Sequence, residues 1–189
     1  MRVIAGSARG RILRSAKGYW LRPTLDRVKE AVFSSLAFRV PGSRVLDLFA
    51  GSGALGIEAL SRGAAAVTFV DHDPKAFALI RANIMSCGWA LSEDIRVARM
   101  DVFRWLKKAE EKYDIILADP PYAKDHEEAA LELVSRRGIL RPGGILALES
   151  SDRTALPQSA GTLILLKSRT YGDTKISYYV IEDEDGKGL

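Results

Sequence analysis

Short, almost wholly apolar segments recur along the chain from residue 44 onward, and stretches with helical periodicity separate them. The apolar segments are residues 45–49, 66–70, 95–99, 113–118 and 145–148. The helical stretches lie near residues 54–62, 74–86, 102–111 and 126–136. Apolar strands that alternate with helices are typical of a parallel sheet that is covered on both faces. The pattern therefore predicts an α/β fold.

The two ends of the chain have different patterns. Residues 162–169 and 175–181 flank Tyr171-Gly172-Asp173, which predicts a C-terminal antiparallel hairpin and brings the sheet to seven strands. Residues 3–5 and 11–13 predict a short N-terminal hairpin. A helix with one apolar stripe follows Pro23, and Thr24 or Asp26 is its expected N-cap. We expect one domain, in which residues 1–25 form an arm and residues 26–189 form the body.

Positive charge is concentrated in this arm. Residues 1–25 hold six basic groups and no acid, whereas the formal net charge of all 189 residues is only +4. A basic arm on a nearly neutral body suits a polyanionic partner such as nucleic acid, since its Lys and Arg side chains neutralise phosphates. A solvated basic hairpin without a partner is the alternative.

Composition excludes several classes of protein. No apolar run approaches the roughly 20 residues that cross a bilayer, and the N-terminus has no apolar stretch of secretory length. The single cysteine, Cys87, fits a reducing cytosol, so we expect a cytoplasmic protein. With only His72 and His126 beside it, no metal-ligand cluster is visible, and we expect a monomer without a metal.

A glycine-rich turn follows the first predicted strand. Gly51, Gly53 and Gly56 have the spacing G-x-G-x-x-G, which is typical of Rossmann-like folds that hold an adenosine group. Asp71 ends the second strand, 20 residues after Gly51, and its carboxylate suits a ribose diol. A generic tight turn with Asp71 as a surface cap is the alternative.

Asp47 favours S-adenosylmethionine over NAD in this turn, and Asp101 is a further candidate contact to the adenosine group. Asp47, near the end of the first strand, would face the crevice and pair with the amino group of a methionine moiety, whereas a pyrophosphate would repel it. Asp101 follows the third strand and could accept a hydrogen bond from the adenine amino group. It could equally cap the next helix, and the two roles are compatible.

The tetrapeptide Asp119-Pro120-Pro121-Tyr122 follows the fourth strand, where ligands bind in open α/β sheets. Acceptors at Asp119 and the Pro120 carbonyl would grip both hydrogens of a planar amine and aim its nitrogen at a sulfonium methyl group. Tyr122 offers a face on which an unstacked base can lie. A rigid surface turn is the alternative interpretation of this segment.

The whole chain resembles the bacterial 16S ribosomal RNA guanine-N2 methyltransferases. Five segments carry the resemblance: 2–6 with Gly10-Arg11, 22–33, 47–53, 119–122, and 171–174. The resemblance implies a class I methyltransferase fold in which S-adenosylmethionine lies on the glycine loop, from Phe49 to Gly53, and on Asp71 and Asp101. It also implies that Asp119 and Tyr122 hold the target guanine, and that the arm contacts rRNA in a small-subunit assembly particle. The expected RNA contacts are Arg9, Arg11, Arg14, Arg22 and Arg27.

The chemistry of the base points in the same direction. Guanine offers two adjacent donors, N1–H and the N2 amino group, and a carboxylate can accept from both. The target would have to be flipped out or already single-stranded. An adenine-N6 methyltransferase, a methyltransferase of small molecules or protein amides, a dehydrogenase and a non-catalytic RNA-binding scaffold are the alternatives. The acid-free arm disfavours small substrates, and Asp119-Pro120-Pro121-Tyr122 has no function in hydride transfer.

Overall fold

The computed structural model describes residues 1–15, 23–121 and 126–181. Eight strands form one sheet in the order β3-β2-β1-β4-β5-β8-β7-β6. The helices are α1 (Pro23–Ser35), α2 (Ala54–Ser61), α3 (Pro74–Ser86), α4 (Val102–Leu106) and α5 (His126–Arg137). The strands are β1 (Arg44–Leu48), β2 (Ala66–Asp71), β3 (Ile95–Arg99), β4 (Tyr113–Ala118), β5 (Leu140–Ser151), β6 (Ser159–Ala160), β7 (Leu163–Tyr171) and β8 (Thr174–Ile181).

The predicted α/β architecture is confirmed. Strands β1 to β5 are parallel, and β7 and β8 form the C-terminal antiparallel hairpin with Gly172 and Asp173 as its loop. One apolar core lies between the sheet and α1, α2 and α3, and a second lies on the α4 and α5 face. No helix among the described residues has the length and apolar character needed to cross a bilayer.

Three local predictions were wrong. The sheet has an eighth strand, β6, whose two residues pair with the edge of β7 and are too few to give a periodic signal. Helix α4 ends at Leu106 rather than near residue 111, because the chain tightens into i→i+3 turns and Glu111 is held by Arg44 and Arg96. Helix α1 begins at Pro23, so Thr24 and Asp26 lie in its first turn instead of capping it.

The N-terminal segment packs into the body. A single antiparallel bridge joins Arg2 to Ile12, so the predicted hairpin is shorter than expected. Val3, Ala8 and Leu13 are buried in the core on the α1–α3 face. The fully buried carboxylate of Glu58 in α2 accepts hydrogen bonds from the N–H groups of Ile4 and Ala5, at 2.8 and 3.0 Å. The basic segment is therefore anchored to the helix that follows the glycine loop.

Candidate active site

The carboxyl ends of β2, β1, β4 and β5 carry one row of residues across the sheet. The last paired row is Val70, Leu48, Ala118 and Leu148. The next position on each strand holds Asp71, Phe49, Asp119 and Glu149, in the same order. Side chains alternate between the faces of a strand, so Asp71, Asp119 and Glu149 point to the face covered by α1, α2 and α3. The predicted pair Asp71 and Asp119 thus flanks the end of β1.

Phe49 departs from this row through its backbone. Its φ is 57°, in the left-handed region that favours glycine. Its ring contacts Phe103 and His126 on the α4 and α5 face, with centroid separations of 5.8 and 6.4 Å. The ring of Phe49 therefore does not lie on the face that carries Asp71 and Asp119, and the glycine loop follows at the end of β1.

The glycines of the loop have separate functions. Gly51 and Gly53 both adopt positive φ, at 54° and 77°, so a side chain at either position would strain the turn. Gly56 has no such φ, but a Cβ there would lie 2.3 Å from the ring of Phe69 in β2. Gly56 therefore allows α2 to pack closely on β2.

Asp71 holds this loop as well as the turn after β2. Its Oδ2 accepts a hydrogen bond from the Gly51 N–H at 2.8 Å, and its Oδ1 accepts one from the Asp73 N–H at 2.9 Å. Each carboxylate oxygen has a second lone pair, so these two bonds leave acceptor capacity for hydroxyl groups. Asp71 can therefore fix the loop and bind the hydroxyl groups of a diol at the same time.

Asp47 lies beneath the loop rather than facing the crevice as predicted. Its carboxyl is fully buried, and its Oδ2 accepts from the Gly56 N–H at 2.9 Å. Burial raises the pKa of Asp47 well above its usual value, and the nearby charges of Asp119 and Asp71 add to the shift. Asp47 therefore fastens α2 to β1, and its contact with a ligand amino group stays a prediction.

Asp101 follows β3, and Asp119 and Pro120 follow β4. Asp101 caps α4, accepting from the Arg104 N–H at 2.8 Å, and it stays exposed. The Asp119 N–H donates to the Leu48 carbonyl at 3.4 Å, which joins the ends of β4 and β1. Pro120 is buried next to it. Tyr122 lies outside the described residues.

Asp119 and Glu149 both have raised pKa values. Loss of water raises the pKa of Asp119 to about 6, although the residue keeps an exposed surface. Burial, and then the charge of Asp119, raise the pKa of Glu149 to about 8. Sequence analysis assigned no function to Glu149. The signal that could have identified Glu149 as a site residue is its position directly after the apolar run Ile145–Leu148 of β5.

The predicted RNA contacts lie on the arm side of the molecule. Arg9, Arg11, Arg14 and Arg27 are exposed. Arg9 and Arg27 also line a groove of about 450 Å³ between the arm and α1, together with Arg2, Asp26 and Glu30. Arg22 lies outside the described residues.

Comparison with known proteins places the chain in a family. The model of the family described as conserved hypothetical protein 95 matches residues 1–180. The chain belongs to that family. Relatives in it include the ribosomal RNA small subunit methyltransferase D of Haemophilus influenzae, which is 35% identical over 95% of this chain and 93% of its own length. The resemblance inferred from the sequence is thus confirmed.

Two further relatives agree in sequence and in fold. The Bacillus subtilis protein named "Putative rRNA methyltransferase YlbH" is 40% identical over 95% of this chain and 98% of its own length. The solved structure of "Putative methyltransferase yhhF" from Escherichia coli superimposes with a TM-score of 0.85, at 31% identity over 96% of this chain and 97% of that one. The fold is that of the class I methyltransferases.

Proposed function

We propose that this chain is an S-adenosylmethionine-dependent methyltransferase that acts on the exocyclic N2 of a guanine in 16S rRNA, within an assembling small subunit. The relatives named as rRNA methyltransferases support the substrate class. The observation that carries the proposal is the row in which Asp71 and Asp119 flank the glycine loop. This row would hold the methyl donor and the acceptor amine beside each other.

The charge of the row fits S-adenosylmethionine. Asp71 and Asp119 lie at one edge of the sheet, and no Lys or Arg within residues 1–15, 23–121 and 126–181 forms a salt bridge with them. A sulfonium ligand with an ammonium group is attracted to such an edge, whereas a dinucleotide pyrophosphate is repelled. Asp71, Asp101 and the loop from Phe49 to Gly53 would hold this ligand, which supplies an electrophilic methyl group.

Asp119 has the principal catalytic function in this proposal. Its carboxylate would accept a hydrogen bond from the target amino group and would take up the proton that this nitrogen loses on methylation, so that the base carries a neutral methylated amino group. The Pro120 carbonyl accepts from the second hydrogen, and the pair of acceptors directs the nitrogen lone pair toward the methyl group. Positioning and electrostatics of this kind account for large rate accelerations without a covalent intermediate. Tyr122 would stack on the base.

The arm would contribute the RNA contacts. Arg9, Arg11, Arg14 and Arg27 have exposed cationic side chains, and Arg22 would extend this set. Arginine binds phosphate through two parallel N–H donors, so several exposed arginines suit an RNA backbone. Because the arm is anchored to α2, its contacts would orient the RNA relative to the glycine loop.

The test is methyl transfer from labelled S-adenosylmethionine to free rRNA, partly assembled small subunits or naked DNA, followed by nucleoside analysis. We expect N2-methylguanosine from an rRNA substrate. N6-methyladenosine would favour the adenine enzyme instead. RNA binding without transfer would favour the scaffold. Asp119→Ala should abolish transfer while the affinity for S-adenosylmethionine stays nearly unchanged; undiminished turnover by this variant would refute the assignment.

A further inference from the structure

Glu149 lies directly beside Asp119 at the carboxyl edge of the sheet. Ala118, the last residue of β4, pairs with Leu148 of β5; Asp119 directly follows β4, and Glu149 is the next residue within β5. Both side chains therefore point to the same face, on neighbouring strands roughly 5 Å apart. Glu149 is only 9% exposed, and no side chain or N–H group among the described residues donates a hydrogen bond to its carboxyl.

Within the part of the chain that the structure describes, the other elements around Glu149 bring no compensating cation. On β8 its partner is the apolar Ile176, and the adjacent Lys175 donates its ammonium group to the Thr154 carbonyl. On α1, Lys29 is committed to Glu58, at 3.3 Å, and to the Arg2 carbonyl. The remaining charged groups of α1 with described side chains line the groove on the arm side: Asp26, Arg27 and Glu30. Among the described residues, Asp119 is the charged group that acts on Glu149.

We propose that Glu149 is a positioning residue for methyl transfer, which acts through Asp119 by holding that side chain as the acceptor for the target amine. This inference rests on the proposed function, since it assigns the acceptor to Asp119. It extends the proposed function by adding a second carboxyl that does not itself contact the reacting atoms.

The physical basis is that two adjacent carboxyls resist double ionisation. Loss of water raises the pKa of Asp119 to about 6, and burial together with the charge of Asp119 raises that of Glu149 to about 8. Near pH 7 the pair therefore retains about one proton, and the higher pKa of Glu149 favours the form in which Glu149 is neutral. A neutral Glu149 can donate its O–H to the Asp119 carboxylate and leave the other lone pairs of that carboxylate for the amine. Above about pH 8 the second charge would push the side chains apart.

The decisive measurement is the pH profile of kcat for the wild type and Glu149→Gln. A glutamine is neutral at every pH and keeps a donor, so we expect its kcat at pH 7 to stay within about threefold of the wild type. The wild-type kcat should fall as the pH rises through about 8, and the variant should keep its rate to higher pH. Ionisation of guanine N1 affects both proteins equally, so the difference between the two profiles is the readout.

Glu149→Ala removes the donor and should lower kcat by on the order of 100-fold, with the affinity for S-adenosylmethionine unchanged. Glu93→Gln, in an exposed loop, is the matched control and should leave the profile unchanged. If kcat falls at the same alkaline pH in the wild type and Glu149→Gln, or if Glu149→Ala is fully active, the inference about Glu149 is overturned. The proposed function would not be affected by either result. Absence of methyl transfer by the wild type would refute the proposed function and this inference with it.

Discussion

The side-chain amide of Asn83 is bonded to both the N–H and the carbonyl of Arg14. Asn83 Oδ1 accepts from the Arg14 N–H at 2.8 Å, and its Nδ2 donates to the Arg14 carbonyl at 3.0 Å. The same Nδ2 donates to the Ser52 carbonyl at 2.9 Å. One fully buried side chain of α3 thus joins the basic arm to the glycine loop.

Replacing this side chain should therefore weaken the arm and the loop together. Asn83→Ala leaves backbone groups of Arg14 and Ser52 without their partners, which costs roughly 1–3 kcal/mol for an unsatisfied buried group. We expect a lower free energy of unfolding in urea and weaker binding of S-adenosylmethionine by calorimetry. Met85→Ala, on the exposed face of the same helix, is the control. A variant that loses stability but keeps full cofactor affinity would show that the loop does not depend on Asn83.

Gly6 and Gly10 offer a matched test of how the arm is anchored. Both have nearly the same positive φ, 84° and 85°. A Cβ at Gly6 would lie 1.7 Å from the Ser61 carbonyl oxygen of α2, whereas a Cβ at Gly10 would meet nothing within 4 Å. Gly10→Ala should cost about 1 kcal/mol of backbone strain, and Gly6→Ala should cost at least about 2 kcal/mol more because it also displaces the arm. Equal urea midpoints for the two variants would contradict the packing described for this segment.

Asp71 should control cofactor affinity through the loop that it holds. In Asp71→Asn one oxygen is replaced by an NH₂ group, which cannot accept from the N–H of Gly51 or Asp73. Hydrogen bonds to charged groups contribute about 1.5–3 kcal/mol, so we expect the Kd for S-adenosylmethionine to rise roughly 10- to 100-fold. Asp73→Asn is the control, because it changes the nearby N-cap of α3 but not the residue that holds the glycine loop. An unchanged Kd in Asp71→Asn would remove Asp71 from the site.

Strand β4, which positions Asp119, could be predicted because it is buried. It has the predicted bounds, since a short apolar run between turn residues leaves few other interpretations. Strand β3 also has the predicted bounds, although it is only partly buried. The row formed by Asp71, Asp119 and Glu149 could be inferred only in part. Sequence places each acid at a strand end, but the register between neighbouring strands, which aligns them, is a property of the folded sheet.

The contacts that anchor the arm could not be predicted. Glu58 and Asn83 each bond to residues more than 50 positions away, and nothing in their local sequence distinguishes them from surface residues of amphipathic helices. The inward position of Asp47 was missed for a related reason. Strand alternation indicates a face but does not show whether a helix N–H group, here that of Gly56, will enclose the carboxyl.

Ionised Asp119, the form that would accept the amine, should lower the free energy of unfolding. Its pKa is raised by burial to about 6 from an ordinary value of 3.8, so the folded state binds a proton more tightly than the unfolded state does. This contribution to stability is fully present below pH 3.8 and is lost as the pH rises through about 6. We expect Asp119→Asn to have a higher urea midpoint than the wild type at pH 8, and a smaller difference at pH 5. A difference that does not change with pH would contradict the raised pKa.

Reversal of charge in the arm should separate RNA binding from folding. The triple change of Arg9, Arg11 and Arg14 to Glu alters only exposed side chains, so the fold should persist while the affinity for rRNA falls. The slope of log K against log salt should decrease by about 0.7–0.9 for each phosphate contact that is lost. Lys107, Lys108 and Lys112, exposed in and after α4, form a control set with the same change in charge. Equal losses for the two sets would indicate a general effect of net charge.

The glycine loop is restrained from three directions before any ligand arrives. Asp47 of β1 holds the Gly56 N–H, Asp71 of β2 holds the Gly51 N–H, and Asn83 of α3 holds the Ser52 carbonyl. The conformational entropy of ordering this turn is consequently lost during folding rather than during binding. A ligand that fits would meet a receptor already in its bound shape, and a ligand of the wrong shape or charge would find a surface that cannot adapt to it.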